Sequence, residues 1–216
     1  MCGIIGYTGH KEAYPILLAG LERLEYRGYD SAGICTAHDN QLHLHKTIGR
    51  VHNLKTTLLP GKKGIAHTRW ATHGKPSDRN AHPFTDTKNQ FSIVHNGIIE
   101  NYLELKEELR QDGITFTSDT DSEVMVHLIA KYYQGDLKQA VLKTISRLQG
   151  AYAFCVIKND SNEIIGGRNG SPLIVGIGDT ENFLASDVSA IIEHTRKVIY
   201  LNDFQIASIS AEKVDV

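Results

Sequence analysis

Apolar residues in the first hundred positions fall mostly into short runs that glycine, asparagine or polar turn residues close, a pattern typical of β-strands. Between the first two runs, apolar residues recur at spacings of three and four, which predicts a helix with one apolar face. The predicted strands are GIIGYTG after Cys2, SAGICTA from Ser31, QLHLH from Gln41, GIAHTRW from Gly64 and FSIVHNG from Phe91, and the helix carries Ala13, Leu17, Leu21 and Leu24. We therefore expect a strand-rich first half with this helix packed on a sheet.

Helical spacing dominates the middle of the chain. Thr120 and Glu123 have the spacing of a capping box that opens a helix, and Gly113 and Gly150 are expected to end helices. Three helices are predicted: one with Leu105 and Leu109, one with Met125, Leu128, Ile129 and Tyr132, and one with Leu137, Val141, Ile145 and Leu148.

Strand patterns return from Ala151 onwards, in AYAFCVIK, EIIGGR, PLIVGIG, NFLAS, KVIYL and QIASIS. Strands and helices thus come in blocks rather than in strict alternation. Such blocks favour an α+β fold, in which antiparallel sheets carry helices on their outer faces, over a parallel doubly wound sheet. Because the 216 residues contain no repeat or linker-like tract, we expect one domain over 1–216.

Charge and cysteine usage narrow the classes of partner. The net charge is -2 without a long run of one sign, so neither nucleic acid nor an anionic membrane is expected as a partner. Neither a secretory signal pattern nor a membrane-spanning apolar stretch is visible, which predicts a cytoplasmic protein. The three cysteines are widely spaced, which argues against a disulfide framework. Cys35 and Cys155 lie in apolar runs and are expected to be buried thiols.

Cys2 directly follows the initial methionine. If Met1 is removed, one residue carries both a thiol and a free α-amine, whose ordinary pKa of about 7.7 to 8.0 lets it accept the thiol proton near neutral pH. On position alone, Cys2 could equally begin a buried strand. Gly3 and Gly6 favour the nucleophile, because glycines would leave the backbone near the thiol open to a substrate.

Six motifs in order carry a resemblance to a known family: CGIIG at Cys2, EYRGYDSAG from Glu25, HTRWATHG from His67, NAHP from Asn80, HNGIIEN from His95 and SDTDSE from Ser118. They resemble the glutaminase domain of the class II glutamine amidotransferases. CGIxG and HNG are shared across that class, whereas YRGYDSAG and HTRWATH are typical of glutamine–fructose-6-phosphate aminotransferases. The resemblance implies an N-terminal nucleophile hydrolase fold, an αββα sandwich of two antiparallel sheets between helical layers. It also implies hydrolysis of L-glutamine to glutamate and ammonia through a Cys2 thioester, without a cofactor.

Attack of a thiolate on an amide places negative charge on the carbonyl oxygen, so donors fixed near that oxygen lower the barrier. Asn96 offers a side-chain NH₂, and Gly97 offers a backbone N–H that no Cβ obstructs. The resemblance assigns this pair to that task. The alternative is a hairpin turn, since Asn-Gly is a strong turn signal, but IIENYLEL after it has a helical pattern.

Free glutamine carries an α-carboxylate and an α-ammonium, which a selective site matches with a planar cation and an anion. The resemblance implies that Arg69 binds the carboxylate, that Thr72 and His73 add contacts, and that Asp121 with the Gly97 carbonyl binds the ammonium. The alternative for Asp121 is a carboxylate that stabilises a helix N-terminus.

Two further residues receive roles from the resemblance. Arg27 is expected beside the nucleophile, with an ordinary surface arginine as the alternative. Trp70 is the only tryptophan, and with Ala71 to Ser77 it resembles a loop that closes over glutamine. The alternative for Trp70 is a core side chain.

The histidines raise a competing class of site. His67, His73, His82 and His95 could be imagined as zinc ligands in a metal-dependent hydrolase. None of them follows HExxH or another short ligand spacing, so no metal is expected.

In the resembled family, ammonia passes to a C-terminal sugar isomerase region that converts fructose 6-phosphate to glucosamine 6-phosphate. No sequence of that kind is visible here, and the polar end SAEKVDV has no closing motif, so we expect a piece of a longer protein whose oligomer contacts lie in the missing region. Two other functions stay open. The chain could be another N-terminal-cysteine amidohydrolase acting on acylated amines, or a catalytically silent glutamine-binding module.

Overall fold

The computed structural model of the chain describes residues 2–71 and 74–216. Within these ranges the α-helices are α1 Ala13–Leu24, α2 Tyr102–Gln111, α3 Glu123–Tyr132 and α4 Leu137–Ile145. The strands are β1 Gly3–Thr8, β2 Ser31–His38, β3 Gln41–Ile48, β4 Lys63–Arg69, β5 Phe84–Thr85, β6 Phe91–Ile99, β7 Gly150–Lys158, β8 Ile164–Asn169, β9 Ile174–Ile177, β10 Asn182–Ala185, β11 Lys197–Tyr200, β12 Ile206–Ile209 and β13 Val214–Asp215. None of the helices in the described ranges has the length and apolar character needed to span a bilayer.

The strands form two sheets. The first has the order β11-β9-β10-β1-β4-β2-β3, and the second has the order β13-β12-β8-β7-β6-β5. Every pairing within them is antiparallel. The predicted α+β class with antiparallel sheets is therefore confirmed.

Three apolar layers hold the sheets and helices together. In β1, Ile4 packs in the core between the two sheets, whereas Ile5 and Tyr7 pack in the core under α1. This alternation follows from the two-residue period of a strand, which buries both faces of a central strand. The remaining helices α2, α3 and α4 cover the outer face of the second sheet. The order of layers is helix, sheet, sheet, helix.

The predicted apolar face of α1 is confirmed. Ala13, Leu17, Leu21 and Leu24 are all fully buried. Burial of each leucine contributes about 1.5 to 3 kcal/mol to the stability of the fold.

Several predicted boundaries differ from the structure. Gly113 does end α2, where its N–H donates to the Arg110 carbonyl at a positive φ of 86°. Gly150 does not end a helix: α4 stops at Ile145, so Leu148 lies outside it, and Gly150 is the first residue of β7.

The predicted capping box at Thr120 and Glu123 is also wrong. The residue before α3 is Ser122, whose side chain makes no cap. The Glu123 carboxylate instead accepts the backbone N–H groups of Thr117 and Ser118 at 2.8 and 2.7 Å. It therefore fixes the turn that leads into the helix.

Candidate active site

A cavity of about 320 Å³ opens at the end of the sandwich where β1 begins and β4 ends. Both sheets contribute to it, since β6 of the second sheet passes along its wall. The lining residues are Cys2, Arg27, Arg69, Trp70, His82, His95, Asn96, Gly97, Ile98, Thr120, Asp121, Ser122, Ser171 and Pro172. Of the nine residues expected to act in glutamine binding or hydrolysis, Thr72 and His73 lie outside the described residues, and the other seven line this cavity.

The Cys2 thiol lies beside the backbone that follows β4, because Gly3 pairs with Thr68 in the first sheet. The Trp70 N–H donates to the Cys2 Sγ at 3.2 Å. Burial raises the pKa of the Cys2 thiol, and the Trp70 N–H acts in the opposite direction. With its pKa raised above the ordinary value, the sulfur is a neutral thiol at pH 7.

The backbone around Trp70 is held by the segment after α1. A Cβ at Gly28 would lie 2.7 Å from the Arg69 carbonyl carbon, so only glycine permits this approach. The Asp30 N–H donates to the Arg69 carbonyl at 3.2 Å, and the Asp30 carboxylate accepts the Ala71 N–H. Asp30 thus helps to position the N–H that contacts the thiol.

Gly3 and Gly6 were expected to leave the backbone near the thiol open to a substrate, and this prediction is wrong. A Cβ at Gly3 would meet Leu24 Cβ and Thr68 Oγ1, each at 2.7 Å, and a Cβ at Gly6 would face Ile164 and Leu184 in the core at 3.6 Å. Gly3 is therefore required for close packing within the protein, not for approach of a substrate.

The Asn96-Gly97 pair is not a hairpin turn. Both residues lie inside β6, opposite Ala153 and Tyr152 of β7. Gly97 has a φ of 127°, and a Cβ there would overlap the Ala151 carbonyl oxygen. The Asn96 Nδ2 donates to the Cys2 carbonyl at 3.1 Å, which brings the amide next to the residue that carries the thiol.

Arg69 and Asp121 supply opposite charges to the cavity, and each is only 3% exposed. The Arg69 Nη2 donates to the Gly74 carbonyl at 3.0 Å. The Asp121 Oδ2 accepts the Ile99 N–H of β6 at 2.8 Å. That bond goes to a strand, and among the described residues Asp121 makes no hydrogen bond to the first turn of α3.

Arg27 is not a surface arginine, and Trp70 is not a core side chain. The Arg27 side chain is 9% exposed and donates from Nη1 to the Asp187 carboxylate at 3.0 Å, so it is not a surface arginine. Trp70 is 49% exposed, so it is not a core residue. Its ring makes an edge contact with Tyr29 at 5.5 Å between centroids.

Three of the four histidines lie together: His82 and His95 line the cavity, and His67 contacts both of them without lining it. Burial lowers the pKa of His67 to about 3, and it also lowers the pKa values of His82 and His95, so all three are neutral at pH 7. The His67 and His82 rings lie 4.1 Å apart between centroids. His73 lies outside the described residues, and across 2–71 and 74–216 no three histidine, cysteine or acidic side chains are placed to hold a metal ion.

Some lining or supporting residues were not foreseen. Asp30 belongs to the motif EYRGYDSAG and could have been found there, whereas Ser171, Pro172 and Asp187 carry no signal in the sequence. Ser171 and Pro172 line the cavity far along the chain from Cys2, and Asp187 contacts the lining residue Arg27 across 160 positions.

Comparison with known proteins identifies the family. A model described as "Glutamine amidotransferase domain" matches residues 67–193. The chain belongs to the glutamine amidotransferase family. The predicted family resemblance is thereby confirmed.

Curated relatives of this amidotransferase are similar over its whole length. A glutamine–fructose-6-phosphate aminotransferase (isomerizing) of Aquifex aeolicus is 56% identical over 100% of the chain and 37% of the relative. One of Symbiobacterium thermophilum is 51% identical over 99% of the chain and 36% of the relative. The chain thus spans little more than a third of these relatives.

Solved structures agree with the fold. A glutamine phosphoribosylpyrophosphate amidotransferase of B. subtilis, complexed with ADP and GMP, matches with a TM-score of 0.86 and 29% identity, over 99% of this chain and 48% of that chain. A glutamine aminotransferase class-II domain protein of Silicibacter pomeroyi is 15% identical with a TM-score of 0.68, over 99% of this chain and 97% of that one, and shows the fold alone. The amidotransferase has the N-terminal nucleophile hydrolase fold that the motifs predicted.

Proposed function

We propose that residues 1–216 form a glutaminase domain that hydrolyses L-glutamine to glutamate and ammonia, with Cys2 as its nucleophile. The observation that carries this proposal is the cavity itself. In a member of the glutamine amidotransferase family, it combines a thiol with a buried guanidinium and a buried carboxylate at Arg69 and Asp121. These are the groups that a free amino acid with a reactive side-chain amide requires.

The first step needs a base, because burial keeps the Cys2 thiol protonated. Once Met1 is removed, the α-amine of Cys2 takes the thiol proton, and the sulfur attacks the carboxamide carbon of glutamine. While Met1 remains, that nitrogen is an amide without a basic lone pair. Removal of Met1 is therefore a condition for activity.

The developing oxyanion is stabilised by Asn96 and Gly97. An amide nitrogen carries two hydrogens, and the Asn96 Nδ2 uses one of them on the Cys2 carbonyl. The second hydrogen and the Gly97 N–H are the donors that we assign to the oxyanion.

The intermediate then collapses. The electron pair on oxygen re-forms the C=O bond, and the C–N bond breaks as the α-ammonium gives its proton to the leaving nitrogen, which departs as ammonia. Water attacks the γ-glutamyl thioester and releases glutamate and the thiol. These steps need no cofactor.

Glutamine is held by its charged end. We assign its α-carboxylate to Arg69, with further contacts from Thr72 and His73, and its α-ammonium to Asp121 and the Gly97 carbonyl. Only one Asp121 oxygen accepts the Ile99 N–H among the described residues, so the other can bind the ammonium. Trp70 at the rim covers the bound substrate, and Arg27 orients the backbone beside the thiol.

In a longer protein, we propose, the ammonia is used by a C-terminal isomerase region that converts fructose 6-phosphate to glucosamine 6-phosphate. The names of the curated relatives support this role in hexosamine synthesis. We also propose that the enzyme acts in the cytoplasm, where its three free cysteines stay reduced.

The test compares the unaltered chain with Cys2→Ala and Cys2→Ser on glutamine and on simple acyl amides. We expect the unaltered chain to release glutamate from glutamine and to leave simple acyl amides intact. Glutamate release should be lost in Cys2→Ala, and Cys2→Ser should retain at most a small fraction of it. Activity in Cys2→Ala contradicts the nucleophile. Equal turnover of acyl amides favours another amidohydrolase, and glutamine binding without glutamate release favours a silent binding module.

A further inference from the structure

His67 contacts the amide that we assign to the oxyanion, although it does not line the cavity. Its Nε2 lies 3.0 Å from the Asn96 Oδ1 and 3.0 Å from the His95 carbonyl oxygen. The side chain is fully buried on β4, so no water competes for these contacts.

Both partners of the Nε2 are acceptors, which fixes the tautomer. An amide oxygen and a backbone carbonyl cannot donate, so the Nε2 carries the hydrogen. The Nδ1 has no hydrogen-bond partner among the described residues, as suits a nitrogen that carries no hydrogen. Burial keeps the pKa of His67 near 3, so the ring remains a neutral single donor over the whole range in which the enzyme would work.

That donor decides which end of the Asn96 amide faces the thiol. An amide has an oxygen and an NH₂ of almost equal size, and either could point at Cys2 by shape alone. With the oxygen bound to His67, the NH₂ faces the Cys2 carbonyl. In the flipped arrangement two donors would face each other at His67, and two oxygens would face each other at Cys2.

We infer that His67 is a positioning residue for glutamine hydrolysis: its Nε2–H holds the Asn96 amide so that the NH₂, and not the oxygen, meets the developing oxyanion. This inference rests on the proposed function. His67 touches neither the substrate nor the thiol, and it acts only through Asn96.

The neighbouring rings support this role. His82 packs on the His67 ring, and His82 itself packs on Phe84 with 4.6 Å between centroids. The His95 carbonyl shares the Nε2–H, and the His95 Nδ1 lies 2.8 Å from the Ser122 Oγ. The donor is thus held in place before the substrate arrives, as stabilisation of an oxyanion requires.

The experiment compares His67→Leu, which removes the donor at similar volume, with His67→Gln, whose side-chain amide nitrogen can replace the Nε2–H. Leu17→Ala under α1 serves as a control for general destabilisation, because Leu17 is buried away from the cavity. For each variant of the 216-residue chain, kcat and KM for glutamine are measured, together with the affinity for glutamate.

A third ligand reports on the oxyanion directly. The Cys2 sulfur adds to the γ-aldehyde analogue of glutamate, so that an S–C bond forms, the thiol proton goes to the α-amine, and the carbonyl electron pair becomes an alkoxide in the oxyanion position. Its affinity therefore depends on Asn96, whereas the affinity for glutamate depends mainly on the groups that hold the α-carbon.

We expect His67→Leu to lower kcat by roughly 10- to 100-fold, because a misplaced donor stabilises the oxyanion of the transition state less. KM and glutamate affinity should change by less than about threefold, since the interaction is made only in the transition state. The aldehyde should lose affinity by the same factor as kcat/KM, and His67→Gln should recover most of both losses. Leu17→Ala should unfold at a lower temperature than the unaltered chain, with kcat and KM for glutamine close to those of the unaltered chain.

Other results overturn the inference. Unaltered kcat in His67→Leu, or loss of glutamate affinity equal to the loss of aldehyde affinity in both His67 variants, would mean that His67 has no positioning role. If the unaltered chain is inactive or Cys2→Ala stays active, the proposed function fails, and the inference fails with it. Normal Cys2-dependent activity without a His67 effect refutes the inference alone.

Discussion

Two kinds of residue shape the cavity: those that supply chemical groups and those whose small size lets the backbone come close. Gly97 belongs to the second kind, because its φ of 127° and its contact with the Ala151 carbonyl exclude a Cβ. Gly28 similarly allows the chain to approach the backbone of Arg69. The shape of the cavity around Cys2 therefore depends on residues that carry no reactive group.

Replacement of Gly97 by alanine should damage both stability and activity. A Cβ in this conformation is strained by about 1 to 3 kcal/mol, and the overlap with the Ala151 carbonyl adds to that cost. Gly113→Ala is the matched control, since Gly113 also has a positive φ but nothing lies within 4 Å of the added carbon. We expect urea unfolding to show the larger loss for Gly97→Ala, with glutamate release abolished only there. Equal losses and normal activity would contradict this explanation.

Arg69→Lys should separate charge from geometry. Lysine keeps the positive charge but not the planar pair of donors that matches a carboxylate. Loss of one charge-assisted hydrogen bond predicts a rise in KM for glutamine of about tenfold or more. Arg23→Lys on α1, an arginine paired with Glu193 outside the cavity, should leave KM unchanged. An unchanged KM in Arg69→Lys would remove Arg69 from the binding site.

At the scale of elements, α3 depends on a buried carboxylate just inside its first turn. Burial alone would raise the pKa of Glu123, but the His127 ring at 3.5 Å and hydrogen bonds from Ser118 and Thr117 outweigh it and lower the pKa from 4.5 to about 2. A carboxyl group whose pKa is lowered by folding stabilises the folded state at every pH above the group's pKa in the unfolded chain. This stabilisation is lost as the pH falls from about 4.5 to about 2.

Glu123→Gln should therefore lower the free energy of unfolding at pH 7 by roughly 3 kcal/mol, following the relation between pKa shift and stability. The difference from the unaltered chain should shrink as the pH approaches 2. Denaturant unfolding at several pH values measures it. Glu104→Gln, an exposed residue of α2, should cost less than about 0.5 kcal/mol. A pH-independent difference would mean that the Glu123 charge contributes nothing.

The type of secondary structure was predictable where the apolar pattern repeats over several helical turns or several alternations along a strand. The face of α1 and the runs of β2 and β7 are examples, since their burial repeats the sequence period. The two-residue strands β5 and β13 were missed because so short a segment has no period. Gly150 was misassigned because a positive φ suits a helix end and a strand start alike.

The site was predictable from motifs but its contacts were not. Cys2 and Asn96 were found as residue types, whereas the bond from Asn96 to the Cys2 carbonyl joins positions 94 residues apart. His67 was assessed only as a possible metal ligand, since its contact with Asn96 depends on how the two sheets pack. Such contacts are set by tertiary structure and leave no local signal.

On the scale of the whole molecule, the two sheets make one site. The first sheet brings Cys2 and Arg69, the second brings Asn96 and Gly97, and the core between them includes Ile4 and Val94 close to these residues along β1 and β6. Glutamine hydrolysis by this account needs both sheets but no further part of a longer protein.

The chain with glutamine and fructose 6-phosphate should therefore release glutamate and ammonia without forming glucosamine 6-phosphate. It spans little more than a third of relatives named for the complete transfer. Quantifying glutamate and amino sugar in the same reaction checks this expectation. Formation of glucosamine 6-phosphate by these 216 residues would contradict it.

The most direct test of the central claim pairs N-terminal mass analysis with glutamate release on the same sample. A chain that begins at Cys2 is compared with one that carries a lysine inserted ahead of Cys2, which blocks its α-amine. We predict that glutamate release rises in proportion to the fraction of molecules that begin at Cys2 and is absent from the blocked form. Full activity in molecules whose Cys2 amine is blocked would contradict the account.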